Sequence, residues 1–123
     1  FLDNATTILE IATYESTTIR NVASVTETFR AIGYTETKLK IVVNRADSAG
    51  GMSPDQLARI VGHPPEFSVQ SDGRLVVASN NDGVPFVLAQ PDAPVSRDVR
   101  KIADAIAAQV GVRPRATSVA GRR

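Results

Sequence analysis

Three short polar segments follow the three stretches of the chain that are richest in aliphatic and β-branched residues: 12–15, 44–47 and 70–72. Ligands of open parallel sheets bind beyond the carboxyl ends of the strands, so these segments are the candidates for a binding site. Asn44 is the sharpest candidate, because its carboxamide presents a donor and an acceptor side by side, as the N6 and N7 edge of adenine requires. Asn44 could equally turn the chain as it leaves the strand, and the residues alone leave both roles open.

The other polar residues indicate no catalytic group. Asp47 could read a purine edge or pair with Arg45. Gly50-Gly51 suggests a phosphate loop, but a Walker loop has the pattern G-x-x-x-x-G-K-[ST], and none of the three lysines lies in one. The single histidine, His63, stands between a glycine and two prolines, which favours a structural or solvent-facing role. The carboxylates are dispersed, so no acid–base pair is predicted.

Composition excludes several classes of protein and site. The chain has no cysteine and one histidine, which excludes a disulfide scaffold, a thiolate nucleophile, a Cys-based zinc site and a His-rich metal centre. With 42% hydrophobic residues in 123, it can build one globular core. No apolar run approaches the roughly 18 residues of a membrane span, and no signal peptide is recognisable. We expect a cytoplasmic domain.

The two ends of the chain differ from its body. Residues 112–123 hold four of the 14 basic residues and no acid, which leaves the body with 10 basic and 13 acidic residues, a net charge of −3. This segment has no periodicity and is predicted to be a mobile tail, so nucleic acid is not an expected partner. The chain begins with Phe1, and Met52 is its only methionine, which indicates a piece of a longer protein.

Strands and helices are predicted to alternate. Residues 7–13, 39–43 and 66–69 have the composition of strands, although Glu10 is unusual in a strand buried on both faces. The remaining segment, 84–88, is apolar but contains Pro85, and is predicted to be an extended connection or an edge strand.

Four helices are predicted from apolar spacing and end signals. Their expected limits are Glu15 or Ser16 to Ile32, with Gly33 beyond; Pro54 to Val61, after a Ser53–Gln56 capping box and before Gly62; a short helix from Asp72 to Gly83; and a last helix from Asp92 or Ser96 to Gly111.

This alternation with short links predicts an α/β fold, a three-layer parallel sheet with flanking helices and right-handed crossovers. Three strands make a thin sheet for such a domain. The small number of strands therefore indicates that the chain is part of a larger domain.

Two motifs in the chain resemble a known family. The string IVVNRADSAGGMSPDQLARIVG ends a strand in N-R-x-D and continues into a glycine loop and a helix, and residues 81–85 form N-x-G-x-P. Together with their flanking segments, 7–34 and 82–106, they are similar to the C-terminal half of CpaE/TadZ proteins. These are MinD/ParA-like deviant Walker ATPases linked to Flp (Tad) pilus assembly.

The resemblance implies that residues 1–111 are the C-terminal half of a P-loop NTPase-like (Rossmann-like) domain, and 112–123 its tail. Asn44 would contact the adenine of ATP, and Arg45 and Asp47 would shape its pocket. Gln70 and Asp72 belong to the base-facing loop, where the family usually has proline followed by an acid, so Gln70 departs from the pattern.

The same resemblance assigns the phosphate-binding lysine loop and the Mg²⁺ ligands to a missing N-terminal half. The parent protein would be an ATPase, whereas this chain alone would not hydrolyse ATP. A homodimer and other pilus or secretion assembly proteins are the implied partners. Two alternatives stay open: a non-enzymatic interaction or dimerisation module that has lost nucleotide binding, and a ParA-like partition ATPase.

Overall fold

The structure, a computed structural model, describes residues 4–34, 38–47 and 51–111, which form three strands and five helices. The tail predicted for residues 112–123 lies outside these ranges. In chain order the elements are β1 (Ile8–Ala12), α1 (Ser16–Ala31), β2 (Leu39–Asn44), α2 (Pro54–Val61), β3 (Phe67–Val69), α3 (Gly73–Asp82), α4 (Phe86–Ala89) and α5 (Pro94–Gln109).

The strands form one parallel sheet in the order β1-β2-β3. The register pairs Ile11 with Val42, and Val42 in turn with Phe67, so these three residues form one row across the sheet. The central strand β2 is the most buried of the three because both of its faces are covered. The predicted α/β fold with a parallel sheet and flanking helices is confirmed.

Helices cover both faces of the sheet, and each face has its own core. Ile41 and Val43 of β2 point to α1 and α2, whereas Val42 points to the side of α3 and α5, as the alternation along a strand dictates. The buried helix residues of the first core are Ile19, Val22, Leu57 and Val61, and those of the second are Leu75 and Val95.

The local end signals place two helices as predicted. Ser53 Oγ accepts from Gln56 N at 3.2 Å, and Gln56 Oε1 accepts from Ser53 N at 2.8 Å, which completes the capping box of α2. Asp72 Oδ1 accepts from Leu75 N at 3.1 Å and caps α3. Both helices end at a glycine with positive φ, Gly62 and Gly83.

The segment 84–88 is not the extended connection or edge strand that its composition suggested. Its second half belongs to α4, whose N-cap is Pro85 with φ −58°. Leu88 N and Ala89 N both donate to the Pro85 carbonyl, and the fixed φ of proline suits the start of a helix as well as it suits an edge strand. The helix α4 packs against α5, whose Ser96 Oγ donates to the Phe86 carbonyl at 3.3 Å.

The first and last helices begin without a side-chain cap. Glu15 is the N-cap of α1 but its side chain makes no capping bond. The last helix begins at Pro94 rather than at Asp92 or Ser96, since proline at the first helical position replaces a polar cap. Ser96 is fully buried in the first turn of this helix.

Glu10 lies on β1, at the edge of this sheet, on the face toward α1. This edge position explains how a strand can carry a carboxylate there: the side chain is half-buried rather than enclosed. Burial raises the pKa of the Glu10 carboxyl, because it disfavours the charged form.

Candidate functional site

A cavity of about 690 Å³ opens where the strands end, between the sheet and the helices α3, α4 and α5. Its floor consists of apolar side chains from the three strands, Ile11, Val42 and Val69. The volume lies in the range of small-molecule sites in proteins. The position is the one at which open α/β sheets bind ligands, beyond the carboxyl ends of parallel strands.

The cavity has apolar walls and a polar rim. Helices α3, α4 and α5 supply the walls, namely Val76, Phe86, Val95, Val99 and Ile102. The loops that leave β2 and β3 supply the rim, namely Asn44, Arg45, Gln70, Ser71, Asp72 and Gly73. A flat, apolar ligand with a few polar atoms along one edge fits this arrangement, because its faces contact the walls and its edge meets the rim.

Asn44 stands at the centre of the rim. It is the last residue of β2 and pairs in register with Val69, the last residue of β3, so both strands end at the cavity. Its side chain lies on the same face as Val42, on the cavity side of the sheet, and is exposed. The carboxamide is therefore accessible to a ligand at the place that the sequence predicted.

Arg45 has a backbone conformation that side chains rarely adopt. Its φ is +54°, and it is the one non-glycine residue with positive φ among those the structure describes. Left-handed backbone costs a residue with a Cβ about 1–2 kcal/mol, so surrounding contacts must hold it. One of them is the next residue's amide, Ala46 N, which donates to the Val69 carbonyl at 3.0 Å. The sharp turn after Asn44 is thus tied to the end of β3.

Asp47 does not line the cavity; it contacts a residue that does. Its Oδ1 accepts from Ser71 N at 2.7 Å. This bond, aided by the charge of Arg45, holds the pKa of the Asp47 carboxyl below its ordinary value. Because the pKa is lowered by folding, the interaction is present above the ordinary pKa of aspartate and is lost as the pH falls through the lowered one.

Gln70 and Asp72, the two residues predicted for the base-facing loop, both line the rim. Gln70 N donates to Asp98 Oδ2 at 2.9 Å, which ties this loop to α5. The Asp72 carboxylate is occupied by the cap of α3. The structure therefore brings together Asn44, Arg45, Gln70 and Asp72 around one cavity, with Asp47 behind them.

Other polar candidates lie elsewhere. His63 is half-buried, with Nδ1 2.9 Å from the Pro64 carbonyl and 3.4 Å from Glu66 Oε2. It is outside the cavity lining, in the segment that precedes β3. Within residues 4–34, 38–47 and 51–111, no three or more His, Cys, Asp or Glu side chains form a group that could hold a metal ion.

Sequence reasoning missed the residues that the helices bring to this site. Phe86, Val99 and Ile102 have the spacing of ordinary core residues, and nothing in the sequence distinguishes a cavity wall from a filled core. Asp98 lies 28 residues from the amide that it accepts, and only the packing of α5 against β3 brings the two together.

The chain is similar to solved structures of ParA and MinD proteins. It superposes on a ParA family ATPase from Chlorobium tepidum TLS with a TM-score of 0.74 and 17% identity, over 83% of this chain and 42% of that one. MinD from Aquifex aeolicus gives a TM-score of 0.65 and 18% identity, over 81% of this chain and 43% of that one. A MinC:MinD complex from Aquifex aeolicus gives a TM-score of 0.70 and 18% identity, over 86% of this chain and 44% of that one. No protein-family model and no curated protein matches the chain.

These likenesses establish the fold. The chain has the architecture of part of a MinD/ParA-like, P-loop NTPase-like domain, and it spans less than half of each of the three solved chains. None of the helices in the described part of the chain is long and apolar enough to cross a membrane.

Proposed function

We propose that this chain forms the base-binding half of an adenine-nucleotide site in a MinD/ParA-like ATPase. The observation that carries the proposal is the cavity at the strand ends, with the exposed Asn44 on its rim and apolar side chains as its walls. A purine ring fits such walls, and adenine offers Asn44 one donor and one acceptor on the same edge. Guanine offers two acceptors there, so it satisfies only one half of the carboxamide.

In this proposal the chain recognises the base and other residues act on the phosphates. The sequence contains no G-x-x-x-x-G-K-[ST] loop, so the phosphate-binding lysine and the Mg²⁺ ligands belong to a segment outside the 123 residues. The chain by itself binds the nucleotide without hydrolysing it. ATP with Mg²⁺ is the cofactor of the complete site.

The cellular role that we propose is the positioning of Flp/Tad pilus or secretion machinery by a cytoplasmic, homodimeric protein of CpaE/TadZ type. Two sequence motifs support this role, N-R-x-D at 44–47 and N-x-G-x-P at 81–85, together with the MinD/ParA-like fold. The partners are then other proteins of that assembly.

Asn44→Ala tests the base site. We expect adenosine monophosphate to bind the variant about tenfold more weakly than the wild-type chain, which corresponds to the loss of roughly 1.4 kcal/mol for one paired contact. Calorimetry or an NMR titration measures the affinity, with guanosine monophosphate as the comparison ligand.

The matched control for this variant is Asn21→Ala, because Asn21 is exposed on α1, on the opposite face of the sheet. The control should bind adenosine monophosphate as the wild type does. Equal affinity of the Asn44→Ala variant and the wild type would refute the proposed contact.

One observation favours a second function, a non-enzymatic interaction module. Ile11 is 54% exposed on β1, although parallel sheets are normally covered on both faces. β1 also has a strand neighbour on one side only among the described residues, so its other edge can pair with a further strand. A strand added at this edge would also cover Ile11, which forms the exposed β1 end of the cavity floor.

This edge predicts that the purified chain self-associates. The mass measured by light scattering should rise with concentration, and Ile11→Lys should shift the rise to higher concentration by placing a charge on the edge strand. Val77→Lys is the control, since Val77 is 58% exposed on α3, away from β1. A constant monomer mass over a wide concentration range would argue against the interaction surface.

A further inference from the structure

The loop that leaves β3 is held by two carboxylates from different elements. Ser71 N donates to Asp47 Oδ1 at 2.7 Å, from the loop after β2. Gln70 N donates to Asp98 Oδ2 at 2.9 Å, from α5. The amides of Gln70 and Ser71, two successive residues beyond the end of β3, therefore each bind one carboxylate, and the two carboxylates come from opposite sides of the loop. Both bonds are exposed to solvent, and together they connect the loop to the β2 side and to α5.

The two carboxylates act on the cavity from outside it. Gln70 and Ser71 line the cavity, whereas Asp47 and Asp98 do not. The Ser71 amide lowers the pKa of the Asp47 carboxyl, because the hydrogen bond favours the charged form. Their effect on a ligand therefore passes through the backbone of the loop between them.

The loop stands next to the residue that reads the base. Asn44 and Val69 are register partners at the ends of β2 and β3, and Gln70 follows Val69 directly. The position of the loop thus determines how wide the rim is on that side of Asn44. A loop without its acidic partners would have to be ordered by the ligand, and this ordering would reduce the affinity.

We infer that Asp47 and Asp98 are positioning residues, which hold the Gln70 and Ser71 amides so that the rim of the cavity is preformed for a purine base. The inference rests on the proposed function. It also gives Asp47 a role that differs from direct contact with the base.

The experiment compares the full chain with Asp47→Ala, Asp98→Ala and the two matching asparagine variants, by ¹⁵N-edited NMR. Each alanine variant should move its partner's amide resonance upfield and raise that amide's hydrogen exchange rate about tenfold or more. Titration with adenosine monophosphate should show a dissociation constant about fivefold higher in each alanine variant. Asparagine keeps an acceptor oxygen in the same place, so those variants should recover most of the affinity.

Asp104→Ala is the matched control, because Asp104 is exposed on the same helix as Asp98 and lies outside the cavity lining. It should change neither amide nor the affinity. Unchanged exchange at Ser71 in Asp47→Ala, and at Gln70 in Asp98→Ala, would overturn the inference. So would wild-type affinity in variants whose amides are released. Absence of binding by the wild-type chain would overturn the proposed function, and the exchange rates, which need no ligand, would still decide whether the carboxylates hold the loop.

Discussion

Replacing Gly51 by alanine should lower the free energy of unfolding by about 2–5 kcal/mol, the largest effect that we expect from a single added methyl group in this chain. Gly51 has φ +81°, which costs any residue with a Cβ about 1–2 kcal/mol. A Cβ at this position would also overlap the Tyr14 carbonyl oxygen. That oxygen already accepts from Met52 N at 2.7 Å, so the loop before α2 cannot move away without losing the bond.

Gly83→Ala is the matched control for this prediction. Gly83 also has positive φ, +68°, but no atom of the described residues lies within 4 Å of a Cβ built there. The control should lose only the backbone contribution, about 1–2 kcal/mol. Urea unfolding followed by circular dichroism measures both variants. Equal losses in the two variants would show that the contact with Tyr14 does not constrain Gly51.

This contact explains the glycine at position 51 without a phosphate. The Gly50-Gly51 pair suggested a phosphate loop, and the missing lysine argued against it. Gly50 lies outside the described residues, but Gly51 packs against the backbone that leaves β1. Its function in the structure is to join the start of α2 to the end of β1.

Replacing Glu66 by alanine should lower the free energy of unfolding by about 1.5–3 kcal/mol. Glu66 Oε1 accepts from Ile41 N at 2.7 Å, and Glu66 N donates to the Ile41 carbonyl at 3.1 Å. The side chain therefore acts as a ladder partner for β2, one residue before β3 begins. Ile41 is fully buried in the intact chain, and its amide would lose a charged acceptor in a part-buried position.

Glu66→Gln separates the acceptor from the charge. Glutamine keeps an oxygen in the same position, so this variant should lose much less stability than Glu66→Ala. Glu27→Ala, on the exposed side of α1, controls for the loss of a surface carboxylate and should unfold as the wild type does. The same urea titration applies. If the glutamine variant were as unstable as the alanine variant, the contribution would come from the charge of Glu66 and its neighbour His63.

The position of the candidate site could be predicted from the sequence, because it depends on where a strand ends. The apolar run of β2 stops at Asn44, and parallel strands place their carboxyl ends at one edge of the sheet. A side chain at that point reaches the edge whatever the details of packing. The same holds for Gln70 and Asp72, which directly follow β3.

The roles of the acidic residues could not be predicted in this way. Asp47 was a candidate for contact with the base, but its carboxylate is bound to Ser71 N, across the gap between two loops. Nothing in the sequence indicated a role for Asp98, because the amide that it accepts from belongs to another element. Such bonds depend on the distances between elements, and a single sequence carries no measure of them.

The alternation of strand and helix segments along the sequence determined the parallel α/β order. Neighbouring residues determined the capping box of α2, the cap of α3 and the glycines that end both helices. Their bonds close within one turn of chain, so the local residues suffice. Only the tertiary structure decided that 86–89 is helical, that β1 can carry Glu10 at an edge, and that Asp47 and Asp98 hold the loop after β3. Each of these depends on how separate elements pack together, which the local residues do not determine.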